Sequence, residues 1–140
     1  MSRPCSPRSL ALLVVMPALV AAGASPALAR QGRGGGGDRP EVRTAGICGK
    51  AASSSLKLTS RDGGIETEFE VHHTRAGSAW SVTIVHESEV AWRGKRRTAG
   101  ASRSFSVSYR IADYSGADRV TARAVGPRGV VCVATATLPG

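Results

Sequence analysis

The chain has 140 residues, with 19 lysines and arginines against 10 acids and a formal charge of +9. That length fits one small domain. Size and composition exclude a multidomain enzyme, a collagen-like repeat and a polytopic membrane protein.

At the start of the chain, Arg3 and Arg8 precede an apolar run from Leu10 to Ala22, and the small-residue end Ala27-Leu28-Ala29 follows. This three-part order predicts a secretory signal peptide over 1–29. Pro17 interrupts the apolar run, which falls short of the roughly 20 residues a spanning helix requires. Removing the segment takes away Arg3 and Arg8 and no acid, so the basic excess persists. Cys5 lies before the apolar run, the wrong side for a lipid-bearing cysteine. Residues 30–40 read RQGRGGGGDRP and predict a flexible, glycine-rich lead-in. The folded domain is expected over 41–140, in an extracellular or wall-associated protein.

Cys48 and Cys132 stand near the two ends of the foldable region. In an oxidising compartment they are expected to pair. In the chain-entropy model, closing a loop of that length stabilises the fold by roughly 4 to 5 kcal/mol. A metal or redox pair is the competing reading, but the close CxxC spacing such pairs use is missing.

From residue 54 onward the hydrophobic period is two, with turn residues about every ten positions, which predicts an all-β sandwich or barrel. Leu56 and Leu58 mark a first strand over Ser54–Ser60, and Arg61-Asp62-Gly63-Gly64 a turn. In Ile65–His73, residues Ile65, Thr67, Phe69 and Val71 share one face, with Glu66, Glu68, Glu70 and His72 on the other. Ala79–Glu87 aligns Trp80, Val82, Ile84 and His86, and a short strand near Val90–Arg93 runs into the basic stretch Gly94-Lys95-Arg96-Arg97. Ser102–Ala112 aligns Phe105, Val107, Tyr109 and Ile111, and a corner follows over Asp113–Asp118. A last hairpin joins Arg119–Val125 to Val130–Leu138 through Gly126-Pro127-Arg128-Gly129. The expectation is a seven-stranded immunoglobulin-like or fibronectin type III-like sandwich. If the first, second and fifth predicted strands share a sheet, its outer face sets Glu66, Glu68 and Glu70 beside Lys57 and Arg110. The other outer face then carries Thr83, Val85, Thr121, Arg123, Val131, Val133, Thr135 and Thr137.

The stretch LKLTSRDGGIETEFEVHHTRAGSAWSVTIVHES, followed by SFSVSYRIADYSGADRVTARAV and VVCVATATL, resembles a group of short secreted proteins of high-GC Gram-positive bacteria. The resemblance spans about Cys48 to Leu138. It implies the same sandwich, supports the Cys48–Cys132 pairing, and brings with it no assigned activity and no catalytic residue.

The residues give little support to catalysis. Adjacent His72 and His73 must point to opposite faces of a strand, so they cannot both ligate one ion. Glu66, Glu68 and Glu70 alternate at about 7 Å on one face, but a flat sheet face supplies no water-excluding pocket for general acid work. No serine sits in a Gly-x-Ser-x-Gly elbow, and Gly34–Gly37 has neither a preceding strand nor a following Lys-Ser/Thr. The expectation is a protein without enzymatic activity, metal or cofactor, with a small secreted hydrolase as the minor alternative.

Two binding surfaces are then expected. Arg93, Lys95, Arg96 and Arg97 cluster in what reads as one exposed turn, a candidate site for an anionic cell-envelope polymer or membrane surface. Nucleic acid is the weakest such partner, since no exposed aromatics interleave with the basic residues. The second surface is the threonine- and valine-rich face, with Val85, Val131, Val133 and Thr135 as candidate contacts for another surface protein. The plainer alternative has Glu41–Ile47 covering that face.

Overall fold

The computed structural model describes residues 39–49, 51–73 and 75–140. The signal-peptide segment 1–29 and most of the lead-in therefore lie outside the described residues. Nine strands follow in order: β1 (Glu41–Ala45), β2 (Ile47–Cys48), β3 (Ala52–Arg61), β4 (Gly64–His73), β5 (Ala79–His86), β6 (Glu89–Arg97), β7 (Ser104–Ala112), β8 (Asp118–Val125) and β9 (Val131–Leu138). They form a four-stranded sheet, β1-β3-β4-β7, and a five-stranded sheet, β2-β9-β8-β5-β6. Every pairing is antiparallel.

The period-two pattern explains what holds the sheets together. Leu56, Leu58, Ile65, Phe69, Val71, Phe105, Val107 and Ile111 from one sheet meet Trp80, Val82, Ile84, Val120, Ala122, Ala124, Ala134 and Leu138 from the other in one buried cluster. Fully burying a large side chain of this kind contributes about 1.5 to 3 kcal/mol, and the core is built almost entirely from alternate positions of long strands. Thr67, in the β4 inner row, is buried and donates its hydroxyl to the Tyr109 carbonyl at 2.7 Å. Trp80 lies in the core with its ring 5.9 Å from Phe105 and edge-on to His73 at 5.4 Å. A Cβ at Gly126 would stand 2.7 Å from that indole, so only glycine lets the β8–β9 turn close over it.

The seven expected strands are all present, but the count among the described residues is nine, because residues 41–48 add two more. Gly46 separates them at the point where the chain leaves one sheet for the other. There a Cβ would come within 2.1 Å of Ser54 Oγ and 2.8 Å of the Val133 carbonyl. Before Gly46, β1 pairs with β3. After it, β2 pairs with β9. Neither piece is long enough to show an alternation of its own. This placement also corrects the idea that Glu41–Ile47 covers the threonine and valine face: the segment extends the edges of both sheets.

Cys48 and Cys132 are directly opposed on β2 and β9 and are joined by a disulfide, 84 residues apart in sequence. The bond fastens a two-residue edge strand to the sheet.

The basic stretch is the second correction. Gly94, Lys95, Arg96 and Arg97 belong to β6, the outermost strand of the five-stranded sheet, and pair with β5 through Ala79↔Arg97 and Trp80↔Arg96. Charged side chains commonly guard a sheet edge against pairing with another chain, which is why a hydrophobic pattern fails to mark such a strand.

Candidate functional site

Placing the basic stretch on a strand splits it by parity. Arg93, Lys95 and Arg97 project to the outer face of the five-stranded sheet, while Arg96 points to the other side and stacks over the Trp92 ring at 4.8 Å. Gly94 makes room for that indole, since a Cβ there would lie 2.5 Å from it. The expected four-residue patch is thus three residues on one face and one bound to the rim of the core.

The same outer face carries the second expected surface. Registers across the sheet align Ile47, Val133, Arg123, Thr83 and Arg93 in a single row spanning all five strands. The next row holds Val131, Val125, Ser81 and Lys95. On the other side lie Thr135, Thr121 and Val85, with the two threonine hydroxyls 2.9 Å apart. Arg119 stands opposite Thr137 beyond them. Ile47 is 84% exposed at the edge of this face. The two surfaces expected separately from the sequence are therefore one.

Its charge is one-sided. Arg93, Lys95, Arg97, Arg119 and Arg123 take part in no ion pair among the described residues, whereas the opposite sheet holds Lys57–Glu68 at 2.9 Å and Arg61–Glu66 at 3.2 Å. There Glu68 holds the Lys57 amine above its usual 10.5, first by the hydrogen bond and then by its charge. The glutamate row read from the sequence is thus largely compensated. Glu70 reaches His72 at 3.0 Å, and His73 turns inward as expected. Along β6 the outward cations repeat about every 7 Å, and Arg93 and Arg123 stand two strands, about 10 Å, apart.

A buried polar cluster escaped the sequence reading. His86 Nε2 donates to Asp118 Oδ1 at 2.6 Å, both side chains are buried, and Tyr114 stacks flat on the imidazole at 4.7 Å. Glu87 joins them: its N–H donates to the Arg119 carbonyl at 3.1 Å, and its carboxylate accepts the Arg119 N–H. Glu87 and Ser88 form the β5–β6 turn with φ of 45° and 76°, left-handed values that tight hairpins require and glycine or asparagine usually supply. His86 was legible as an in-phase core position, but its partner arrives from a corner 32 residues away.

His86, Glu87 and Asp118 have ligand atoms within 4.8 Å of one another. Two ligands on a tetrahedral zinc stand about 3.3 Å apart, wider than the His86–Asp118 contact, so the cluster is a hydrogen-bonded strut as built. The pair also resembles the orienting half of a catalytic triad, yet no hydroxyl or thiol hydrogen-bonds to His86 among the described residues. A hollow of about 520 Å³ lies at the other end of the sheets beside His72, His73 and Arg103, away from this cluster.

Comparison with protein-family models, curated proteins and solved structures gave no match. Among the described residues no helix is long and apolar enough to cross a membrane.

Proposed function

We propose that this chain is an exported, non-enzymatic binding module whose five-stranded outer face engages an anionic polymer of the cell envelope. One observation carries the reading: Arg93, Lys95, Arg97, Arg119 and Arg123 share a face on which, among the described residues, no carboxylate forms an ion pair with their side chains. Threonine hydroxyls and half-buried valines lie between the cations, a surface suited to an extended chain bearing repeated phosphates or carboxylates. The strand arrangement β3-β4-β7 against β9-β8-β5-β6 supports an immunoglobulin-like or fibronectin type III-like type, with β1 and β2 as additions at the edges. The disulfide, with the leader expected over 1–29 from the sequence, supports export.

Retention on immobilised long-chain polyphosphate tests the reading. The protein should bind at about 0.15 M salt and elute by about 1 M, where screening acts within about 3 Å. The variant Arg93→Glu/Lys95→Glu/Arg97→Glu should pass through unretained. Retention that survives high salt, or that the triple variant keeps, overturns the proposal.

A second reading, recognition of another surface protein by Val85, Val131, Val133 and Thr135, draws support from the exposed Ile47 in the same row as Val133. Val133→Lys with Thr135→Lys should then abolish partner capture while strengthening polyphosphate retention. The opposite pair of results rejects it.

A further inference from the structure

We propose that the free edge of β7 is a docking site for an extended peptide that alternates apolar and acidic residues. Among the described residues β7 has its ladder with β4 alone; on its other side Ser104 is bridged to Ala99, whose N–H donates to the Ser104 carbonyl at 2.9 Å, and the rest of that side is open. Over nine residues it has no proline, no glycine and a single charge, Arg110. The other long edge, β6, is guarded by Arg93, Lys95 and Arg97 and distorted by a register shift at Ile84/Val85. β7 lacks such protection.

Two hollows lie beside β7, one between the sheets and one on the outer face toward β4, and both are lined by Tyr109 and Arg110. The inner one, about 200 Å³, is shaped by Tyr109, Ile111, Tyr114, Val90 and His86. Val90, Tyr109 and Tyr114 are three of the four most exposed large apolar side chains among the described residues, at 53%, 38% and 53%. The outer hollow, about 350 Å³, is lined by Arg61, Glu66, Ser108, Tyr109 and Arg110. Successive side chains of an incoming strand point to opposite faces, so main-chain pairing with β7 would set alternate side chains at the inner hollow and, on the outer face, cross-strand from Arg110. Strand addition works in this way, with the ladder giving affinity and the alternating pockets specificity.

The hollows also specify chemistry. Arg110 Nη2 donates to the carbonyls of Arg61 and Asp62 at 2.9 and 2.7 Å, and its guanidinium lies across Gly64, where a Cβ would be 2.8 Å from Nε. It is thus held in place, and Glu66, its cross-strand neighbour, is bonded to Arg61 instead. A fixed, uncompensated guanidinium suits a carboxylate. Tyr114 is equally fixed by its stack on His86. On its other side β7 already pairs with a strand of this alternation, Ile65, Glu66 and Thr67 standing opposite Ile111, Arg110 and Tyr109.

The test uses the labelled peptide IETEFEV, a copy of residues 65–71, and the purified protein in fluorescence anisotropy. Saturable binding is expected, at least about tenfold weaker for the isomer EEIFVTE, which keeps the charge and loses the alternation. Arg110→Ala should cost about tenfold, and Arg110→Lys, which keeps the charge but not the fork, a smaller factor. Arg93→Glu with Lys95→Glu should leave binding within about twofold. This last arm separates the edge from the polyanion face, so either proposal can fail alone. Absence of saturable binding, equal binding of the isomer, an unaffected Arg110→Ala variant with an unchanged melting temperature, or self-association through β7 that the peptide does not disturb overturns the proposal.

Discussion

The imidazole of His86 and the carboxylate of Asp118 meet at 2.6 Å where the end of β5 adjoins the start of β8, both buried. Asp118 Oδ1 also accepts the Tyr114 N–H at 3.4 Å, so one carboxylate ties the corner before β8 to the end of β5. Removing one partner of a buried polar pair leaves the other unsatisfied, at a cost beyond the lost bond itself. Asp118→Ala should therefore lower stability by about 2 to 4 kcal/mol in urea unfolding. A loss under 1 kcal/mol would show that the strut carries little.

The disulfide gives a second expectation. With Cys48 and Cys132 separated by 84 positions in sequence, the chain-entropy model assigns it about 4 to 5 kcal/mol. Reduction, or Cys48→Ser with Cys132→Ser, should bring the denaturant midpoint down accordingly. Amide exchange should quicken first at Ile47 and Cys48, which hold to β9 by only two paired residues.

The β8–β9 turn makes a steric prediction. Gly126 has an ordinary extended φ of −102°, so nothing in the backbone demands glycine there. The indole of Trp80 does. Gly126→Ala should destabilise by about 1 to 3 kcal/mol, the usual cost of overpacking a filled core, and should shift the Trp80 fluorescence. An unchanged melting temperature would mean the turn yields freely.

Alkaline pH probes the opposite face. The Lys57 amine is held above 10.5 by Glu68, so it binds its proton more tightly when folded. The stabilisation is complete below pH 10.5 and fades as pH rises past the raised value. Because the pair is partly exposed, its size is at most about 1 kcal/mol. Glu68→Gln should lower stability at pH 8 by that amount and converge with the parent in strong alkali. A constant difference across that range would assign the effect to packing.

The sequence carried the fold wherever strands were long and half-buried. In β4, Ile65, Thr67, Phe69 and Val71 are buried in the order their spacing predicts, and β5 follows the same rule down to His86. It failed where burial does not mark the strand. β6 is an edge rich in arginine, and β1 and β2 are too short for a period. The candidate surface was legible as two sets of residues. That they share a face depends on cross-strand register, and Arg123 meeting Thr83 is set by a pairing between segments 40 residues apart. The His86–Asp118 contact has the same long-range origin.

The segregation of charge has one more consequence. With acids and bases mixed on the four-stranded sheet and cations alone on the outer face of the five-stranded one, the described domain carries its positive excess toward the latter. Near a negatively charged surface it would rotate until the five-stranded sheet lies flat against it. Its sheet edges would then point sideways along the surface, open to whatever else is held there.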